Sequence, residues 1–123
     1  NSGRWVGYVG KDLDLTVDLG EVKPIRLISV RTLISAAQWI MPHRGLYVWV
    51  STDGKNFEDI YDLPADPMPA NKPDYIDTEN VLLPMAKEAR YVRIKMLSEK
   101  SMPAWHPHTG KPGWLFVDEV TIE

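Results

Sequence analysis

The chain has 123 residues, enough for one domain with a core of its own. It contains no cysteine, which excludes a disulfide framework, a zinc–thiolate site and a cysteine nucleophile. The 14 basic and 17 acidic residues give a net charge of −3, which argues against a nucleic-acid partner. No apolar run reaches the roughly 18 residues of a transmembrane helix.

Most of the chain alternates apolar and polar residues, with the period of a half-buried strand. DLDLTVDLG (12–20) alternates in this way and ends at a glycine. IRLISVRTL (25–33) is rich in β-branched residues, and GLYVWV (45–50) alternates again. STDGKNF then predicts a hairpin, because Gly54 accepts the positive φ of a tight turn, and 57–61 would form the return strand.

The second half of the chain contains two clear strands and two irregular segments. RYVRIKM (90–96) and WLFVDEVTIE (114–123) are predicted strands, and PMAKEAR (84–90) could form one short helical turn. The segment 63–74 holds four prolines, and 97–113 is a 17-residue loop. About seven strands in a cysteine-free chain of this size predict an antiparallel β-sandwich.

The loop 97–113 carries a His-x-His pair, His106 and His108. This spacing could place two imidazoles on one side of an extended segment, as zinc ligands. A zinc site needs three or four ligands, however, and His43 is the only other histidine. The alternatives are a loop fixed by prolines, with His106 hydrogen-bonded to backbone, and a sugar contact by one or both histidines.

Several aromatic and polar residues are candidate ligand contacts. Trp105 lies in a loop, where its indole could stack on a pyranose or could fold back and cap the end of the barrel. Trp114 begins a strand and is predicted to be core. Trp39 could contact a ligand or pack under its loop. Gln38 and Arg44 offer donors for hydroxyl or acetamido oxygens, with a salt bridge as the alternative for Arg44.

The acidic pair Asp118-Glu119 does not predict glycoside hydrolysis. Two catalytic carboxylates must face each other across a bond, whereas adjacent strand residues point to opposite faces. No nucleophile elbow, phosphate-binding glycine loop or His-Glu-x-x-His motif is present either. We therefore predict no catalytic residues in this chain.

Taken in order, four sequence features resemble a known family. WVGYVGKDLDLTVDLGEVKPI, PHRGLYVWVSTDGKNF, ARYVRIKM and a last strand ending VDEVTIE are similar to the discoidin domain, or coagulation-factor C-type domain. That group includes the family 32 carbohydrate-binding modules. The closing AWHPHTGKPGWLFVDEV resembles the C-terminal domain of bacterial family 20 β-N-acetylhexosaminidases, including chitobiases.

The resemblance implies an all-β, jelly-roll-like antiparallel sandwich of the galactose-binding-like type, with ligands bound by loops at one end. By position, those loops are SGRWVGY, LISAAQWIMPHR (33–44) and the loop after Met96, and Tyr8 is favoured over Trp5 as a rim contact. Glu119 matches a glutamate that many family 32 modules use for a structural calcium, so a calcium is left open. The predicted carbohydrate-binding residues are Tyr8, Gln38, Trp39, Arg44, Trp105 and His106.

These points predict one discoidin-like domain over residues 1–123, excised from a larger protein and lacking the family's first strand. Its expected role is that of a non-catalytic carbohydrate-binding domain of an exported bacterial glycosidase, extracellular or periplasmic. Expected partners are a GlcNAc-, GalNAc- or galactose-type glycan and the parent's catalytic domain. One alternative is a structural domain that packs on the catalytic domain without binding sugar. Another is adhesion to a protein or lipid surface through Ile40 and Met41.

Overall fold

A computed structural model of the chain describes the backbone of residues 3–5 and 8–123, with side chains from Gly10 onward. Within these residues every strand pairing is antiparallel, which confirms the predicted all-β class. The one helical piece described is the 3-10 turn Ala36–Gln38. Among the described residues, no helix is long and apolar enough to span a membrane. The strands are β1 Gly3–Trp5, β2 Tyr8–Gly10, β3 Leu13–Ile34, β4 Gly45–Ser51, β5 Glu58–Pro64, β6 Tyr75–Leu97 and β7 Leu115–Ile122.

Two long strands, β3 and β6, connect the two layers of the sandwich. Residues 13–18 of β3 pair with 91–96 of β6, and residues 27–34 pair with 75–82. Between these stretches the register shifts twice, and Gly20 has a φ of 89°, which a side chain would resist. β4 and β5 extend one half of this pair, and β7, β1 and β2 extend the other.

The core lies between the layers and follows the alternation of the strands. On β6, Val92, Ile94 and Met96 are fully buried, while the residues between them face outward. Both halves of β3, together with β4 and β7, contribute side chains to the same cluster. Burying each such side chain stabilises the fold by about 1.5–3 kcal/mol.

The structure extends two predicted strands and overturns the predicted helical turn. Residues 13–20 and 25–33 belong to one strand, β3, and residues 84–89 belong to β6. Ala89, Glu88 and Lys87 pair with Lys23, Pro24 and Ile25, and this tertiary pairing overrides the helical propensity of PMAKEAR.

The prediction that Trp114 belongs to the core is wrong. Its side chain is 41% exposed, and Lys11 Nζ lies 5.2 Å from the ring centroid. The reason is the alternation of β7: Leu115 and Val117 face inward, so the position before Leu115 faces outward.

The alternation assumed for the acidic pair on β7 is also wrong. Val117 and Val120 are both buried, and a register shift leaves Asp118 and Glu119 between them. Arg31 Nε donates to Asp118 Oδ1 at 2.8 Å. That hydrogen bond, together with the charges of Asp118 and Glu119, raises the pKa of Arg31. Both carboxylates therefore act on one guanidinium rather than across an open cleft.

The segment SGRWVGY was predicted as a binding loop and instead contributes two short strands. β1 and β2 pair with β7, with Gly3 opposite Ile122 and Gly10 opposite Leu115. The side chains of Trp5 and Tyr8 lie outside the described part of the structure, so the role of Tyr8 stays a prediction.

Candidate functional site

Three long connections, which we call the loop end, meet at one end of the sandwich: residues 35–44, 65–74 and 98–114. Several hydrogen bonds join them. His106 Nε2 donates to Ala36 O at 2.8 Å, and Trp105 Nε1 donates to Met68 O at 2.8 Å. Arg44 Nε donates to Ala65 O at 2.8 Å. The predicted loops 33–44 and 97–113 do lie together, and the proline-rich segment joins them.

A small apolar cluster fills the loop end and holds both candidate tryptophans. Trp39, Trp105 and Tyr75 are half-buried against it, and the Trp105 indole N–H is already used by Met68 O. The two tryptophans therefore pack against this cluster, while part of each side chain stays exposed. The fully enclosed members of the cluster are Ile34, Ala36, Met41, Met68 and Met102.

His106 is a buried structural histidine. Its Nδ1 accepts from the backbone N–H of His108 at 3.0 Å, which fixes the proton on Nε2, where it is donated to Ala36 O. Neither ring nitrogen is left for a zinc ion or a sugar. His108 is exposed, and its ring lies 4.5 Å from the Trp39 ring, centroid to centroid.

Gln38 and Trp39 lie where the 3-10 turn ends. Gln38 is exposed, and Trp39 adopts a left-handed φ of 67°, uncommon for a residue other than glycine. Backbone bonds hold it there, because Trp39 N–H donates to Ala36 O and Trp39 O accepts from Trp114 N–H. The adhesion hypothesis expects Ile40 and Met41 to be exposed apolar tips. In the structure Ile40 is half-buried and Met41 is fully buried.

Arg44 lines a cavity of about 250 Å³ beside the apolar cluster. Its Nη1 donates to Glu99 Oε2 at 2.6 Å, and the Glu99 side chain is only 3% exposed. No described residue accepts from Arg44 Nη2 or donates to Glu99 Oε1. Within the described part of the chain, one donor of Arg44 and one acceptor of Glu99 are therefore left unpaired. Its lining consists of Arg44, Leu97, Ser98, Glu99, Lys100 and Ser101.

The wall of this cavity is fixed by Asp12. Asp12 Oδ1 accepts from the backbone N–H of Ser98 at 2.8 Å and from its hydroxyl at 3.0 Å, and Lys100 Nζ also donates to it. Burial alone would raise the pKa of Asp12, but the hydrogen bonds from Lys100 and Ser98 outweigh burial and lower it. Lys100 is therefore tied back to the protein, and the segment 98–100 is held in place.

A second polar cluster, formed by His43, Asp77 and Glu79, has donor atoms within 4.8 Å of one another, as a metal site would. The protonation of His43 opposes that use. Its Nδ1 accepts from Gly45 N–H at 3.1 Å, so the proton lies on Nε2, which faces Glu79 Oε1 at 3.1 Å. A metal would need the lone pair that this proton occupies. The cluster instead satisfies a buried histidine at the start of β4.

A structural calcium at Glu119 stays a prediction. Thr121 Oγ1 donates to Glu119 Oε1 at 3.3 Å, and the Arg31 guanidinium lies close enough for the two charges to interact. Calcium prefers six to eight oxygen ligands, and a guanidinium is not one of them. The described side chains around Glu119 do not fit such a site.

The sequence profile of the F5/8 type C domain, the discoidin domain, matches residues 1–114. The chain belongs to this family. A search of curated protein sequences returned no match to the discoidin chain. The family assignment fits the described fold, in which loops from both layers gather at one end.

Solved structures similar to this discoidin domain include three carbohydrate-binding modules of family 32. CpGH89CBM32-6, produced by Clostridium perfringens, has a TM-score of 0.61 at 21% identity over 98% of this chain and 75% of its own. CpGH89CBM32-5 from Clostridium perfringens, in complex with GalNAc-β-1,3-galactose, has a TM-score of 0.59 at 16% identity, with coverages of 94% and 73%. The CBM32 of AlyQ, in complex with 4,5-unsaturated mannuronic acid, has a TM-score of 0.54 at 21% identity, with coverages of 99% and 78%. At these identities the likeness shows the fold.

Sequence reasoning found Arg44 but missed its neighbours in the cavity. Glu99, Ser98 and Lys100 lie in LSEKS, which shows no motif and has the composition of an ordinary polar start to a long loop. The available signal was weak: an acidic residue two positions after the end of a core strand, and an arginine directly before the start of another. The pairing of Gly45 with Leu97 and the hydrogen bond from Arg44 N–H to Leu97 O bring these two together.

Proposed function

We propose that this discoidin domain is a non-catalytic carbohydrate-binding module of an exported bacterial glycosidase, and that its site is the Arg44–Glu99 cavity. The observation that carries the proposal is the Arg44–Glu99 ion pair in the lining of a cavity at the loop end, with Arg44 Nη2 and Glu99 Oε1 unpaired among the described residues. A sugar hydroxyl both accepts and donates, so it satisfies both groups at once. The sugar-bound state of two similar modules supports the same proposal.

The size of the cavity suits the end of a glycan. At about 250 Å³ it is smaller than the ~300–1,000 Å³ of sites for drug-sized ligands, so it fits one sugar unit. A few hydrogen bonds of this kind predict an affinity of about −4 to −6 kcal/mol, in the millimolar to high-micromolar range. Such a site is still useful, because a tethered module raises the effective concentration of its enzyme near the substrate.

The proposed parent is a hexosaminidase or chitobiase-like enzyme, which rests on the resemblance of residues 104–120 to the C-terminal domain of family 20 enzymes. The proposed ligands are accordingly GlcNAc-, GalNAc- or galactose-type glycans. Gln38, exposed at the loop end, and Tyr8 are further proposed contacts. We leave His106 out of the proposed contacts, because both its ring nitrogens are already paired within the protein. Trp39 and Trp105 are only half-buried and stay proposed stacking contacts.

A blocking substitution tests the site. Ser101 is exposed and lines the cavity, so Ser101→Phe should fill it without removing a hydrogen bond recorded for the protein. Calorimetric titration with galactose, GalNAc, GlcNAc and chito-oligosaccharides should show binding by the wild type and at least about a tenfold loss in the variant. Thr52→Phe, at an exposed threonine in the turn between β4 and β5, is the control and should bind as the wild type does.

The second candidate function is a structural domain that packs on the catalytic domain and binds no sugar. The half-burial of Trp39 and Trp105 in the apolar cluster favours it, because these residues then have a packing role. It predicts no response to any of these sugars from a folded domain. Equal binding by wild type and Ser101→Phe would instead move the sugar site elsewhere on the domain.

A further inference from the structure

The charges around the Arg44–Glu99 cavity point to the class of sugar it accepts, an inference that rests on the proposed function. Two cations line the cavity, and each is paired with a carboxylate: Arg44 with Glu99, which also lines the cavity, and Lys100 with Asp12, which does not. The cavity therefore carries no net charge, and neither cation is left without a counter-ion. A ligand carboxylate would find no unpaired positive charge there.

The buried carboxylate of Glu99 adds a cost for acidic ligands. Its side chain is 3% exposed, and no described residue donates to Oε1. Among the described residues, the only side-chain polar atom that is fully enclosed without a partner is Ser35 Oγ, so Glu99 Oε1 is not sealed from solvent. A second carboxylate in this space would leave Oε1 without a donor and would face a like charge at close range.

Arg44 imposes the opposite limit. Its Nε and Nη1 are used by Ala65 O and Glu99 Oε2, and Nη2 remains for a ligand. An ammonium group could donate to Glu99 but would be repelled by this guanidinium. A hydroxyl is both acceptor and donor and carries no charge, so it can pair with Nη2 and Oε1 together.

From this we infer that the cavity selects uncharged sugars through their hydroxyl groups and rejects the corresponding uronic acids. In this respect it differs from the similar module that was solved with an unsaturated mannuronic acid. Glu99 is then the residue that determines specificity, and Lys100, tied to Asp12, does not attract anionic ligands.

Matched pairs of sugars test this selection. Methyl galactoside and the methyl glycoside of galacturonic acid differ only at C6, which carries a hydroxymethyl group in the first and a carboxylate in the second. The corresponding glucose and mannose derivatives form two further pairs. Titration of the wild-type domain should show binding of at least one neutral member, with its uronide at least about tenfold weaker. Binding of the neutral member should not change between low and high NaCl, because no net charge attracts it. If a uronide binds as tightly as its neutral partner, the selection is overturned while the sugar-binding function stands; if no member of any pair binds, both fall.

A variant of Glu99 and a variant of a control carboxylate assign the selection to Glu99. Glu99→Gln keeps the shape of the side chain but removes its negative charge. The ratio of the affinity for the neutral sugar to the affinity for its uronide should therefore fall by at least about threefold. Glu58→Gln is the matched control, because it removes an exposed carboxylate that pairs with Lys87 and does not line the cavity, and it should leave the ratio unchanged. An equal effect from Glu58→Gln would overturn the role of Glu99. Thermal unfolding of each variant confirms that it is folded, and the salt series on the wild type tests the charge argument independently of them.

Discussion

At the scale of single residues, three tryptophans at the loop end differ in environment in a way that sequence spacing does not show. Trp105 and Trp39 lie in loops and are half-buried, whereas Trp114 adjoins a core strand and is 41% exposed. The reason is local. Buried Met68 and Met102, on two different loops, supply an apolar surface for the first two. Methionine fits such irregular gaps well because it is unbranched and flexible.

Trp105→Phe tests this packing role. It should destabilise the domain by about 1 kcal/mol, because Met68 O loses its donor while most of the ring contact is kept. Trp114→Phe is the matched control and should change the free energy of unfolding by no more than about 0.5 kcal/mol. Chemical denaturation monitored by circular dichroism measures both. If the two substitutions cost the same, the hydrogen bond to Met68 O does not stabilise the loop end.

At the scale of elements, β6 shows where pattern reasoning works and where it fails. Residues 90–96 alternate clearly and were predicted. Residues 75–82 alternate too, but their less exposed face includes Asp77 and Glu79, the partners of buried His43, so no apolar stripe marks this half. Inward-facing charges of this kind also discourage further strands from adding at a sheet edge.

Two isoleucines on β6 provide a prediction for this element. Ile94 is fully buried between β3 and β4, so Ile94→Ala should cost about 2–5 kcal/mol through lost burial and the cavity left behind. Ile76 is 58% exposed on the same strand, and Ile76→Ala should change stability by no more than about 0.5 kcal/mol. Urea unfolding measures the difference in the free energy of unfolding between the two variants, through a change of midpoint while the dependence of that free energy on urea stays the same. Similar costs for both would contradict the placement of the core between the two halves of the strand.

At the scale of the whole molecule, the fold follows from alternation and turn chemistry, while the candidate site depends on long-range placement. The strands 45–50, 90–96 and 114–123 were found because their alternation is local, and the hairpin at Gly54, with φ 78°, because its turn is local. The continuity of β3 and β6 through the sandwich was not predicted, since it depends on pairing between distant residues. For the same reason Arg44 could be singled out, but its partner Glu99, 55 positions away, could not.

Acid should destabilise the whole domain through its surface carboxylates. Hydrogen bonds from Arg93 to Asp14 and from Arg90 to Asp18 lower the pKa of each carboxyl, and N–H groups of Asn56 and Lys55 lower that of Asp53 far below its usual range. A lowered pKa contributes stability above the ordinary value of 3.8, and this is lost as pH falls toward the folded value. The raised pKa of Asp62, which reflects desolvation and its neighbour Asp59, acts in the opposite direction.

We therefore expect the thermal midpoint to fall between about pH 5 and about pH 2. Asp53→Asn should show a smaller fall over this range, since its side chain cannot carry the charge that the turn stabilises. Differential scanning calorimetry of both proteins measures the two slopes. An equal fall in both would show that the Asp53 turn does not contribute to the pH dependence.

The two long strands also set the order in which the chain can fold during synthesis. β3 leaves the ribosome before its partners β6 and β7, which begin only at residues 75 and 115. Until then β3, which contributes to both layers, has no native strand beside it. Pairing over such distances is slow to form, and unpaired apolar strands are prone to associate with other chains. The last eight-residue strand is therefore the one that releases the nascent domain from this exposed state.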